Sequence, residues 1–165
     1  MISLFLGLST GNVLLLGLTM TLGWFATDAH TPTSLYVFHI TIGIAAGLMA
    51  TLTHTAVYMY FMATSRWLQA ATNKANLDPS RFVNPAMARK HRVLGVAMAA
   101  ITMTVLTLFS GAAADPTVQP WLPANIHMAM GLATLMVNLI AAVAQFPLVR
   151  QQSLLMDQTL SILNR

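Results

Sequence analysis

The chain has 165 residues, of which 56% are hydrophobic and 7% charged, with no cysteine and a formal net charge of +4. An ordinary soluble domain carries roughly a quarter charged residues, so this composition excludes a water-facing shell and makes the bilayer the natural solvent for the surface. The absence of cysteine excludes disulfides, thiolate metal sites, iron–sulfur clusters and covalently attached c-type haem.

The first predicted element is an uncharged apolar stretch from Ile2 to Ala26, long enough to cross about 30 Å of hydrocarbon. It has no basic n-region and is too long for the apolar region of a signal peptide, so it is read as a retained span. The second span is expected over 35–65. At 1.5 Å per residue it approaches about 45 Å, so it tilts or projects beyond the hydrocarbon. Tyr58, Tyr60 and Trp67 suggest an interfacial aromatic belt near its end. The third span is expected over 91–111 and the fourth over 124–149, with 66–90 as a connecting loop and 150–165 as a tail. That tail either lies in the interface as a short amphipathic helix or packs on a partner subunit. Pro32, Pro79, Pro85, Pro116, Pro120 and Pro123 are assigned to connections and Pro147 to the last turn of the fourth span. The twelve Met residues are flexible fillers of apolar contacts. The expectation is one all-α domain, an integral membrane four-helix bundle.

Charge sets the expected orientation. Arg66, Lys74, Arg81, Arg89, Lys90 and Arg92 fall in or beside the central connection, and Arg150 and Arg165 fall in the tail. With an even number of spans these segments share one side, whereas the two opposite loops carry only Asp28 and Asp115. By the positive-inside rule, the N and C termini and the loop 66–90 are cytoplasmic. The basic balance therefore reports topology, and no stacking or phosphate-tracking surface points to nucleic acid.

Histidine carries the candidate chemistry. Three His residues each precede a Gly by four positions: His39 and Gly43 in the second span, His91 and Gly95 in the third, His127 and Gly131 in the fourth. Residues four apart share a helix face, so each imidazole stands beside a bare patch of backbone where a large flat ligand can lie. In the second span His39, Gly43, Gly47, Ala50 and His54 form one stripe. Its two imidazoles are about 22 Å apart along the axis and about 60° apart in rotation. Depth pairs His39 with His127 near the outer face and His54 with His91 near the inner one. Two stacked pairs of neutral imidazoles in a four-helix bundle are what two bis-His haems b require. Asn138 shares the face of His127, Gly131 and Thr134, where it can bond a haem edge, a quinone or a neighbouring helix.

On these motifs, His-x14-His in one helix and a His near the start of each of the next two, the chain resembles the small four-helix membrane cytochromes b, including the di-haem kind. The segment from Tyr58 to Trp67 is also similar to that of small bacterial membrane proteins of no assigned function. The resemblance implies one or two haems b with His39, His54, His91 and His127 as axial ligands. It implies an electron-transfer subunit rather than a stand-alone enzyme, with a quinone or a redox protein as electron partner, in a bacterial inner membrane or another energy-transducing membrane. A chlorophyll-type pigment is an alternative ligand. The inner site has Arg66, Arg89, Lys90 and Arg92 for haem propionates, whereas the outer face offers only Asn125, Trp121, Tyr36 and His30.

No carboxylate lies within a span, which argues against a carboxylate proton relay, a di-iron site or Ser/His/Asp catalysis. The non-enzymatic alternative is an accessory subunit of a larger respiratory or photosynthetic complex, or a homo-oligomer, with its Gly/Ala stripe on a neighbouring helix.

Overall fold

The computed structural model describes residues 1–26 and 34–164; His30, Asp28 and Pro32, assigned above to the outer loop, lie outside them. The described residues form four helices: α1 (Ile2–Ala26), α2 (Ser34–Lys74), α3 (Pro79–Ala113) and α4 (Ala124–Leu163). All four are long and apolar enough to cross a membrane. Neighbours in the chain pack side by side, α4 closes back onto α1, and α2 touches α4 across one diagonal. Among the described residues α1 and α3 do not meet, so the bundle has a short diagonal and a long one.

Three helices are longer than their spans. α2, α3 and α4 contain 41, 35 and 40 residues, hence lengths of about 50–60 Å. The expected 25-residue loop shrinks to residues 75–78, and the expected tail continues α4 to Leu163. Pro79 and Pro85, assigned to connections from sequence, belong to α3. Pro79 occupies its first turn, where a missing N–H costs nothing. Asp78 caps that turn, its Oδ1 accepting from the Ser80 N–H at 2.9 Å. At the other side of the connection Asn76 takes a left-handed φ of 52°. The Leu77 N–H then donates back to the Thr72 carbonyl at 3.0 Å, closing the end of α2.

The extensions stay helical because they carry their own core. Leu68, Phe82, Ala86 and Leu155 pack together from α2, α3 and α4, with Trp67, Leu77 and Met156 around them. A second cluster, Phe5, Val57, Phe61, Val93 and Val149, joins all four helices where α1 begins. Toward the outside the helices present large apolar side chains. Leu14, Leu48, Phe109 and Val143 are 67–70% exposed, a surface suited to lipid rather than to water.

Candidate functional site

At the end of the bundle opposite the basic residues, His39 of α2 and His127 of α4 meet across the short diagonal. Their ring centroids are 6.0 Å apart and the rings lie edge to face at 72°. This is the outer pair expected from helix depth. The His39 Nδ1–H donates to the Thr19 carbonyl of α1 at 3.0 Å. Ser110 Oγ donates to the Thr107 carbonyl at 2.8 Å and lies 2.9 Å from His127 Nδ1. A hydroxyl has one hydrogen: placed on the Thr107 carbonyl, it leaves Ser110 to accept from the His127 Nδ1–H; placed on the ring, it is donated to Nδ1. The carbonyl bond fixes the His39 tautomer and leaves its Nε2 an unshared pair, and the first Ser110 arrangement gives His127 the same tautomer. Anchoring one ring nitrogen so that the other can bind is the usual support of a metal-ligating imidazole.

The glycines that matter here are not those of the tetrads. A methyl group at Gly23 of α1 would come within 2.8 Å of His39 Cε1, and one at Gly111 of α3 within 3.0 Å of His127 Cε1. Each ring thus lies against bare backbone of a neighbouring helix. The tetrad glycines meet other groups: Gly43 faces the Thr19 methyl at 3.4 Å and Gly131 faces Met20 Sδ at 3.6 Å. Gly47 is closed by Leu108 Cδ1 of α3, 2.7 Å from where its Cβ would stand. The small-residue stripe of α2 therefore serves close packing against α1 and α3.

The inner pair is not brought together. The buried face of α3 is formed by Ala86, Val93, Ala97, Ala100 and Thr104. His91 precedes Val93 by two positions, about 200° around the helix, and is exposed. Gly95 shares that outward face, with no atom within 4 Å of its missing Cβ. His54, by contrast, is 1% exposed, and both of its ring nitrogens have protein partners. Its Nε2–H donates to Asn138 Oδ1 at 3.0 Å, and its Nδ1 accepts from Gln145 Nε2 at 3.4 Å.

Asn138 organises a polar layer across the bundle. Its Oδ1 also accepts from Asn12 Nδ2 of α1 at 2.9 Å. Its own amide N–H groups donate to the Thr134 carbonyl at 2.9 Å and to Thr104 Oγ1 of α3 at 3.3 Å. From there a polar seam climbs between α3 and α4, through the Thr134–Thr107 hydroxyl contact at 2.6 Å, to Ser110 and His127. In the other direction α4 places Gln145, Gln152 and Thr159 at seven-residue steps from Asn138, all buried. Gln152 accepts from Arg89 Nε at 3.0 Å and donates to Thr64 Oγ1 at 2.9 Å. Among the described residues no three His, Asp or Glu side chains gather as a metal site. The chain matches no protein-family model, no curated protein and no solved structure.

Proposed function

We propose that the chain is a b-type haem membrane protein that carries electrons, with one haem held between His39 and His127. The observation that carries this reading is the pair of anchored imidazoles with free Nε2 atoms on opposite helices, 6.0 Å apart between ring centres. His39 and His127 are the residues that would hold the iron, each through its Nε2. Along the long diagonal, where α1 and α3 do not meet, the two rings lie against the backbone of Gly23 and Gly111. Haem supplies a one-electron ferric–ferrous couple when bound. The chain's part is to orient two half-buried imidazoles from facing helices.

Of the one or two haems expected, the reading takes one, because His91 is exposed whereas the His54 ring is buried and engaged by amides. Propionates at this end would meet Tyr36, Trp121 and Asn125 rather than Lys or Arg. The electron partner is a quinone or a second redox protein. The setting is an energy-transducing membrane such as the bacterial cytoplasmic membrane, with the basic end inside.

A reduced-minus-oxidised spectrum of the purified chain tests the reading. The expected result is a b-type α-band at one haem per chain, lost in His39→Ala and His127→Ala and retained in His91→Ala. A folded but colourless protein overturns it and leaves the accessory-subunit reading. A red-shifted, magnesium-containing pigment in its place would identify the chlorophyll-type alternative.

A further inference from the structure

The most deeply buried ionisable group in the bundle is His54, and the haem reading does not use it. A neutral imidazole has one donor and one acceptor, and its surroundings match that state. Asn138 offers an oxygen to Nε2–H at 3.0 Å, and Gln145 offers an N–H to Nδ1 at 3.4 Å. The two amides differ in freedom. Asn138 is held by its donations to Thr134 and Thr104 and by the acceptance from Asn12. Gln145 Oε1 is buried and has no hydrogen-bond partner. A half-turn about the last Gln145 torsion exchanges its oxygen and nitrogen at the same place, so the ring would face two amide oxygens. Two oxygens are what an imidazolium, with two donors, requires.

We infer that His54 is a proton-binding site in the interior of the bundle, its charged form held between Asn138 Oδ1 and the rotated Oε1 of Gln145. The proton, taken from water, adds to the Nδ1 lone pair; one N–H bond forms and none breaks. The groups facing the ring are Asn138 and Gln145 of α4. In the same layer α1 supplies Asn12 and α3 supplies Thr104. None of these is ionisable, and no charged group acts on the ring. Asn12 Oδ1 is a further buried acceptor without a partner. An orphaned buried acceptor is rare and calls for a donor. The polar seam through Thr134, Thr107 and Ser110 gives the site its route to the His127 end. Toward the basic end Phe5, Val57, Phe61, Val93 and Val149 close the bundle.

The site is independent of whether the far-end pair holds haem. Its test is nitrogen-15 NMR of the histidine-labelled full chain in lipid nanodiscs, from about pH 8 to about pH 4.5, with His54 assigned by its loss in His54→Gln. The expected result is a neutral ring protonated at Nε2 that gains a proton at Nδ1 while helicity is unchanged. Gln145→Met removes the second oxygen and should weaken proton binding roughly tenfold or more, moving the midpoint down by about one pH unit. A ring that stays neutral throughout, or a midpoint unmoved in Gln145→Met, overturns the inference. Should that variant not fold, Gln145→Glu offers an oxygen in either orientation and must raise the midpoint; an unmoved midpoint there is equally fatal.

Discussion

Ser110 Oγ stands 2.9 Å from His127 Nδ1 and 2.8 Å from the Thr107 carbonyl, so the placing of its single hydrogen selects the His127 tautomer. With that hydrogen on the carbonyl, Ser110 accepts the Nδ1–H and Nε2 is the nitrogen that His127 offers to a ligand. Ser110→Ala leaves the Nδ1–H without its acceptor and the ring free to turn. Loss of such a supporting partner typically costs about 10–100-fold in metal affinity. Haem titration of the apo chain should show a loss of that size with the helical content unchanged. Unaltered affinity would mean that Ser110 does not position the ring.

Gly23 and Gly47 should respond differently to enlargement. At Gly23 a side chain meets the edge of the His39 ring, which is pinned by the Thr19 carbonyl. At Gly47 it meets Leu108, the end of a flexible side chain on α3. Gly23→Leu should abolish haem retention in chains that still insert and fold. Gly47→Leu should lower bundle stability by about 1–3 kcal/mol through overpacking while each folded chain keeps its haem. The haem-to-protein ratio and the denaturation midpoint, taken on one sample, separate the two. Haem loss in Gly47→Leu alone would place the macrocycle against the α2 stripe instead.

Periodicity, depth and charge made the four helices and the meeting of His39 with His127 legible, because each follows from where a residue lies along a span. Azimuth was harder to read. His91 shares its tetrad and its depth with plausible ligands, yet Val93, Ala97 and Ala100 define the buried face of α3 and put His91 on the other side. The seven-residue recurrence of Asn138, Gln145 and Gln152 was present in the sequence and marks the buried face of α4. It also shows why the tail continues α4 inside the bundle rather than forming a separate interfacial helix, since a 3.5-residue repeat of buried positions runs through it. Gly23 and Gly111 carry no local signature at all. Their importance lies in contacts with histidines on other helices, which only the packed bundle reveals.

Asn138 ties three other helices to α4, and its removal should show as coupling rather than as a simple sum. Asn138→Leu keeps the volume but leaves Asn12 Nδ2 and His54 Nε2 without an acceptor. Stranded buried donors cost about 1–3 kcal/mol each in water-soluble proteins, and interhelical bonds in membranes average nearer 0.6 kcal/mol, so about 1–2 kcal/mol is expected. Adding Asn12→Leu removes one stranded donor and should restore part of that loss. Unfolding of the single and double variants in mixed micelles measures the coupling. Strict additivity would show that the Asn12–Asn138 bond contributes nothing.

Acid should loosen the far end of the bundle first. Asp115, in the connection between α3 and α4, accepts from the Tyr36 hydroxyl of α2 and from the Thr117 N–H and hydroxyl at 2.8 and 2.7 Å. These bonds favour the carboxylate and hold it below its ordinary range, Tyr36 contributing most and Thr117 next. A depressed folded-state value means that the stabilisation is complete above the unfolded carboxyl value, about 3.9, and drains away as pH falls below it through the folded value. Tyr36→Phe removes the largest cause, so the Asp115 titration should move up toward the ordinary carboxylate range. Carboxyl carbon-13 NMR of aspartate-labelled protein reads that movement directly, because the chain has only four acidic side chains. Above about pH 5 the variant and the parent should carry the same charge at Asp115, so a difference confined to acid isolates the electrostatic part. If the Asp115 midpoint is the same with and without the Tyr36 hydroxyl, the bond between α2 and the α3–α4 connection does not form in solution, and Asp115 is held by its bonds to Thr117 alone.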